Sequence, residues 1–183
     1  MKTLEDQMSF YAAYHQDARN KATHFVGVPL IVFSLLIPLG WLRVEVGGFP
    51  VSAALVVTSV LLLYYLALDI ALGLAMAAVF AAMLWGAEPL SLAAFGPSLA
   101  WFLVLFVGGW ALQLWGHVFE GRKPALVDNL FQIFVAPIFL AAEVFFALGF
   151  KPGLHQAVQK RALAMRAADG VAERSVQARA APG

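Results

Sequence analysis

The chain has no cysteine and little charge: of its 183 residues none is Cys and only 13% are Asp, Glu, Lys or Arg. The first absence excludes a disulfide frame, a thiolate zinc site, an iron–sulfur cluster and a cysteine nucleophile. Any metal must therefore be held by His, Asp, Glu, Asn, Gln or Tyr. The second absence matters because soluble domains carry about 25% charge. A formal net charge of +1 supplies no basic field, which excludes nucleic acid as a partner. No Gly-x-Ser-x-Gly elbow occurs, which speaks against a hydrolase. What fills the space is apolar: 62% of residues are hydrophobic and the mean hydropathy is +0.80. Such a chain is a membrane protein.

The sparse charges punctuate the sequence, and a crossing helix needs about 20 apolar residues. Five stretches qualify as candidates: Phe25 to Leu42, Val46 to Leu68, Ile70 to Ala87, Ser98 to Phe119 and Asn129 to Phe150. Gly47, Gly48 and Pro50 read as a turn opening the second, and Gly96-Pro97 as the start of the fourth. Asp69 alone divides the second from the third, so those two form a tight hairpin or do not both cross. The fold expected is an all-α polytopic membrane bundle of about five hydrophobic helices with N-terminal and C-terminal interfacial helices. Residues 1–155 are expected to form a single membrane-embedded domain, the candidate catalytic unit if its polar residues form a site, and residues 156–183 a basic interfacial or disordered tail. In that tail Leu154, Val158, Ala162 and Met165 recur at helical spacing, and the remainder after Asp169 is expected to be irregular. The first 24 residues lack the pattern of a cleaved signal peptide. For five spans the basic residues divide five against seven between the two sides, so charge does not set the orientation.

Five spans put the segment before the first, the connection after the fourth and the start of the fifth on one membrane face. These carry Tyr11, Tyr14, His15, Asn20 and His24, and then Gln113, His117, Glu120, Arg122, Lys123, Asp128 and Asn129. At about 100° per residue, Gln113, His117 and Glu120 share one face of a helix end. An imidazole with a carboxylate three positions on is half of a metal site, or an interfacial histidine beside a solvated cap partner. His15 and His24 lie about 180° apart on a straight helix, so both chelate only if a break intervenes. No Gly or Pro stands between them. Asp128 or Asn129 caps a helix start, holds a ligand histidine through its second nitrogen, or does both. Glu143, well along the last span from Asn129, reads as a buried helix-anchoring group and His155 as a surface residue.

Together these residues carry a resemblance. Tyr11-x2-Tyr14-His15-x4-Asn20-x3-His24 and Gly109-Trp110-x2-Gln113-x2-Gly116-His117-x2-Glu120-x3-Pro124-Ala125-Leu126-x-Asp128-Asn129-Leu130 resemble signature segments of the 2-hydroxy fatty acid dioxygenase family. Ala136-Pro137, Glu143 and Leu148-Gly149-Phe150-x-Pro152 are similar to its final span. The likeness runs from Tyr11 to Leu154; the middle spans share only hydropathy, and the tail after Gln156 is unmatched.

The resemblance implies a small multi-spanning enzyme, known from fungal endoplasmic reticulum, that uses ferrous iron (Fe2+) and histidines to shorten a long-chain 2-hydroxy fatty acid by one carbon. The implied metal ligands are His15, His24 and His117. On that basis Glu120 is a candidate fourth ligand, and Glu120 or Asp128 a candidate proton acceptor. Tyr11, Asn20, Gln113 and Asn129 are expected to support the ligands. Arg122 and Lys123 attract the substrate carboxylate or contact lipid headgroups. The partners are the fatty acid, O2 and the bilayer, in a bacterial cytoplasmic membrane or, in a eukaryote, the endoplasmic reticulum. Competing readings are a lipid-binding protein or small transporter, against which the lack of an internal repeat argues, and a bis-histidine haem protein.

Overall fold

The computed structural model describes residues 3–121 and 124–180, without the side chains of 126 and 171–180. Helix α1 (Leu4–Ala13) opens on a capping box, in which Thr3 and Asp6 exchange side-chain-to-backbone hydrogen bonds. Helix α2 (Ala18–Trp41) starts at Asp17, whose carboxylate accepts from the Arg19 backbone N–H. A hairpin of β1 (Arg43–Val46) and β2 (Phe49–Ser52) follows, then α3 (Ala53–Leu68), α4 (Ile70–Leu92) and α5 (Phe95–Glu120). The short α6 (Ala125–Asp128), then α7 (Gln132–Ala147) and α8 (Pro152–Ala180) complete the described chain.

The all-α architecture and the five apolar helices (α2, α3, α4, α5, α7) are as expected. Three of them, α2, α4 and α5, are long and apolar enough to cross a membrane, whereas α3 and α7 have 16 residues each. The stretch beginning at Val46 is not one continuous helix. Gly47 and Gly48 take positive φ, 59° and 85°, which suits the tight turn of a two-residue hairpin, so the helix starts only at Ala53. At Asp69 the chain reverses in a helical hairpin: the residue is extended, its carboxylate caps α4 through Leu72 N–H, and Lys151 Nζ lies 2.7 Å from its other oxygen. Leu63, Trp85 and Val104 stand exposed on the outer faces, the pattern of a surface solvated by lipid.

The tightest packing joins α2 to α5. A Cβ on Gly27 would lie 2.9 Å from the Gly109 carbonyl oxygen, and one on Gly109 3.0 Å from that of Gly27. A Cβ on Gly116 would collide with Thr23 Oγ1 and Asn20 Oδ1. Small residues at such a seam let two backbones approach within side-chain reach of one another.

Helix α8 differs from the expected tail. Val158 and Ala162 are fully buried with Leu4, Met8 and Ala12 of α1, so the apolar stripe is turned onto protein. The expected boundary at 155/156 falls inside this helix, and the helix continues to Ala180, past the point where irregular chain was expected. Arg161 forms an ion pair with Asp6 across the α1/α8 contact.

Candidate metal centre

The break between His15 and His24 that helical geometry demands is real, and it lies at residues 14–17. Helix α1 ends on Tyr14, and Asp17, extended at φ −71° and ψ 129°, restarts the chain as α2. Arg19 donates to the Asp17 carboxylate and holds its pKa down at about 2, so the cap stays ionised. The corner turns His15 back toward His24, and the α2/α5 seam at Gly116 sets His117 against both.

The three imidazoles are buried, at 2%, 3% and 7% relative exposure. Their ring centroids are 4.5 to 5.1 Å apart and every pair is edge to face. One nitrogen from each lies within 4.8 Å of the others, and among the described residues no other such group of His, Asp or Glu occurs. The tautomers of two are dictated by carbonyls. His15 Nδ1 is 2.7 Å from the Tyr11 carbonyl oxygen and His24 Nδ1 is 2.8 Å from that of Asn20. A carbonyl only accepts, so both Nδ1 atoms carry the proton and both Nε2 atoms present lone pairs. Those two Nε2 atoms are 3.0 Å apart. Two lone pairs facing each other repel, and a shared cation relieves the repulsion; the donor set therefore fits a divalent metal. Burial, followed by the neighbouring His24, holds the His15 pKa well below its ordinary value, so the ring is neutral as a ligand must be.

Tyr11 stacks on His15 at 4.0 Å with rings 5° from parallel, and Phe139 packs on Tyr11 in turn. Asn20 joins the two structural roles, accepting from His24 and donating through Nδ2 to Glu120 at 3.1 Å. Beside the imidazoles is a cavity of about 60 Å³, whose walls include Ile31, Trp110, Gln113, Ala125 and Gln132. A single water needs only roughly 10–15 Å³. Gln113 Nε2 and Gln132 Oε1 are buried and have no hydrogen-bond partner among the described residues.

The other expected residues separate into distinct places. Glu120, expected as a ligand or base, has both oxygens engaged elsewhere. One accepts from the backbone N–H of Gln16 and Asp17, at 3.0 and 2.8 Å, and from Asn20; the other pairs with Arg166 of α8. Its side chain is 1% exposed. It fastens the α1/α2 corner, and it is not among the clustered metal-binding nitrogens and oxygens. Asp128 is exposed and accepts from Tyr14 Oη at 2.6 Å. Asn129 accepts from Phe131 N–H and so shapes the turn into α7. Arg122 and Lys123 lie outside the described residues. Glu143 anchors α7 as expected, through Lys21 at 2.9 Å, and His155 stacks on Phe146. Two contributors were not foreseen: Gln132, readable in sequence only as part of a polar stripe with Asn129 and Glu143, and Arg166, whose partner is 46 positions away.

Comparison with known proteins agrees with the residue pattern. Residues 1–148 match the family described as 2-hydroxy-palmitic acid dioxygenase Mpo1-like. The chain is 36% identical over 155 residues to the 2-hydroxy-palmitic acid dioxygenase MPO1 of Saccharomyces cerevisiae, covering 82% of this chain and 84% of that one. No solved structure matches. The match ends one residue past α7, so the signature around Gly109–Leu130 and the three histidines lie inside the matched region, and this chain belongs to the Mpo1-like family.

Proposed function

We propose that the protein is a membrane-embedded, non-haem Fe(II) dioxygenase that converts a long-chain 2-hydroxy fatty acid to the acid one carbon shorter. The reaction balances as R-CHOH-COOH + O2 → R-COOH + CO2 + H2O, with all four electrons taken from the substrate and no external reductant. The observation that carries the reading is the buried triad, with two imidazole lone pairs directed at each other across 3.0 Å.

His15, His24 and His117 would hold the metal. Iron bound there supplies activation of O2 toward cleavage of the C1–C2 bond. The protein residues do the rest. The Tyr11 and Asn20 carbonyls keep Nδ1 of two ligands protonated, so their Nε2 atoms are available without loss of a proton. Tyr11 fixes the plane of His15 by stacking. Glu120 acts as a positioning residue, since its carboxylate gathers the N–H groups of the corner that carries His15. Gln113 Nε2 suits a substrate carboxylate and Gln132 Oε1 suits the 2-hydroxyl proton, because each is a buried polar atom that lacks a partner among the described residues in a largely apolar chamber. Asp128, exposed and joined to Tyr14, would exchange protons with water, and the positive charges of Arg122 and Lys123, which lie outside the described residues, would attract the substrate carboxylate. Residues 1–155 form the catalytic unit, in a bacterial cytoplasmic membrane or, in a eukaryote, the endoplasmic reticulum.

The test is turnover. Protein purified without oxygen in detergent and loaded with Fe(II) is expected to shorten a long-chain 2-hydroxy acid by one carbon when O2 is admitted, as read by mass spectrometry. His117→Ala is expected to retain the fold and lose the product. Product from a folded His117→Ala protein would refute the assignment.

A further inference from the structure

A second cavity, of about 190 Å³, adjoins the histidine chamber. Val28 and Val32 of α2 line both, and on α7 the boundary falls between Ala136, in the first, and Pro137, in the second. Three helices build its walls with one stripe each, spaced i, i+3, i+4, i+7: from Phe25 on α2, from Met76 on α4 and from Pro137 on α7. No lining side chain carries a polar or charged group. Its inner wall is closed by Met76 and Phe80, 4% and 2% exposed, while Phe25, Val79 and Val144 at the rim are 40% to 45% exposed. The exposed rim thus takes one residue from each of α2, α4 and α7, and α2 and α4 are apolar enough to cross a membrane.

We propose that this cavity holds the distal acyl chain of the 2-hydroxy acid whose head lies at the histidines, and that its depth sets the preferred chain length. The inference rests on the reading of the triad as the reacting centre. An apolar void stays dry and forgoes dispersion contacts with its lining, so its natural occupant is hydrocarbon. A polar or charged occupant would be desolvated there with no partner. Of hydrocarbon occupants, the tail of the acid reacting next door is favoured by continuity: both chambers share the Val28/Val32 wall, and the polar atoms are confined to the one that contains the imidazoles. Methionine at Met76 and Met83 gives a wall that can adjust to a flexible chain.

The test fills the cavity from two different helices, with Ala141→Phe on α7 and Val79→Phe on α4. Two measurements are made in detergent. The first is the ratio of kcat/KM for 2-hydroxyhexadecanoic acid to that for 2-hydroxydecanoic acid on the iron-loaded protein. The second is displacement of parinaric acid, an intrinsically fluorescent long-chain acid, from the metal-free protein by saturated acids of graded length. Each methylene moved out of the cavity weakens binding about fourfold, so a ring displacing about three is expected to lower the long-to-short ratio on the order of 50-fold. The displacement series is expected to lose its dependence on length beyond the same point. If the native protein turns over neither acid but its displacement series is length-dependent and truncated in both variants, the acyl site stands and the dioxygenase reading falls. If both variants fold and leave the ratio and the displacement series unchanged, or weaken all lengths equally as filling a lipid-occupied void would do, the proposal is overturned.

Discussion

Arg166 sits far from the histidines in sequence, on a helix outside the family match, yet its removal is expected to loosen the metal centre. Its guanidinium meets a Glu120 carboxylate that is 1% exposed, while Arg166 itself is 30% exposed. Breaking a fully buried ion pair costs about 3–5 kcal/mol, because a charge is left without its partner. Glu120 keeps three N–H donors after Arg166→Ala, and water reaches the vacated side, so about 2 kcal/mol is the appropriate magnitude. For a chain of this size that corresponds to a fall in Tm of about 4–8 °C. The second consequence is specific. Glu120 tethers the N–H groups of Gln16 and Asp17, the residues that follow His15, so mobility at this corner spreads to one ligand directly and to His24 through Asn20. Losing an outer support of this type weakens metal binding about 10- to 100-fold. The assay is a thermal melt with and without a chelator, together with a competitive Fe(II) or Co(II) titration under anaerobic conditions. Arg166→Ala protein with native Tm and native metal affinity would refute the role assigned to Glu120 and α8. Loss of stability without loss of affinity would reduce α8 to a structural brace.

Gly116→Ala is expected to force α2 and α5 apart, because the added Cβ meets Thr23 and Asn20; overpacking of this kind costs about 1–3 kcal/mol, and metal binding should fall more than stability. Lys21→Met leaves the half-buried Glu143 without its cation and is expected to lower Tm, while the double variant with Glu143→Gln should recover most of the loss, as thermal melts of the four proteins would reveal. The metal-free protein should be less stable in acid: His15 is depressed in the fold, so the unfolded chain binds more protons below its ordinary pKa of about 6.5. Its contribution is fully present above that pH and is lost as pH falls toward the depressed value; a Tm that does not decline between pH 7 and pH 5 would contradict the burial of a neutral ring.

How far the sequence reaches can be judged residue by residue. Gln113, His117 and Glu120 share a face because helical periodicity requires it, and the structure keeps all three buried on α5. The gathering of His15 and His24 with His117 at one face follows from the five-span topology, and their role as one ligand set from the family resemblance, but the corner between the first two does not announce itself with Gly or Pro. It is made by Asp17, a residue type that caps helices, and that signal was present without being decisive. Glu120 illustrates the opposite limit: a carboxylate three residues from a ligand looks like a ligand, and only tertiary structure shows its oxygens occupied by a backbone corner and by α8. Hydropathy separated apolar from polar chain but did not separate the β1/β2 hairpin from α3, since Val46, Phe49 and Val51 are as apolar as the helix they precede. Likewise the stripe of Leu154, Val158, Ala162 and Met165 was visible, but whether it met lipid or protein depended on α1.

The central claim is that the three histidines form one metal centre at which the substrate reacts. It is tested most directly by a single-turnover experiment in which anaerobic protein is loaded with graded Fe(II), mixed with a 2-hydroxy long-chain acid and oxygenated, and the shortened acid is measured against iron bound. Product rising in proportion to iron and saturating at one iron per chain, with no product from His15→Ala, His24→Ala or His117→Ala, is the result predicted. Product formed without iron, or iron bound and turned over equally by folded variants lacking these histidines, would contradict it.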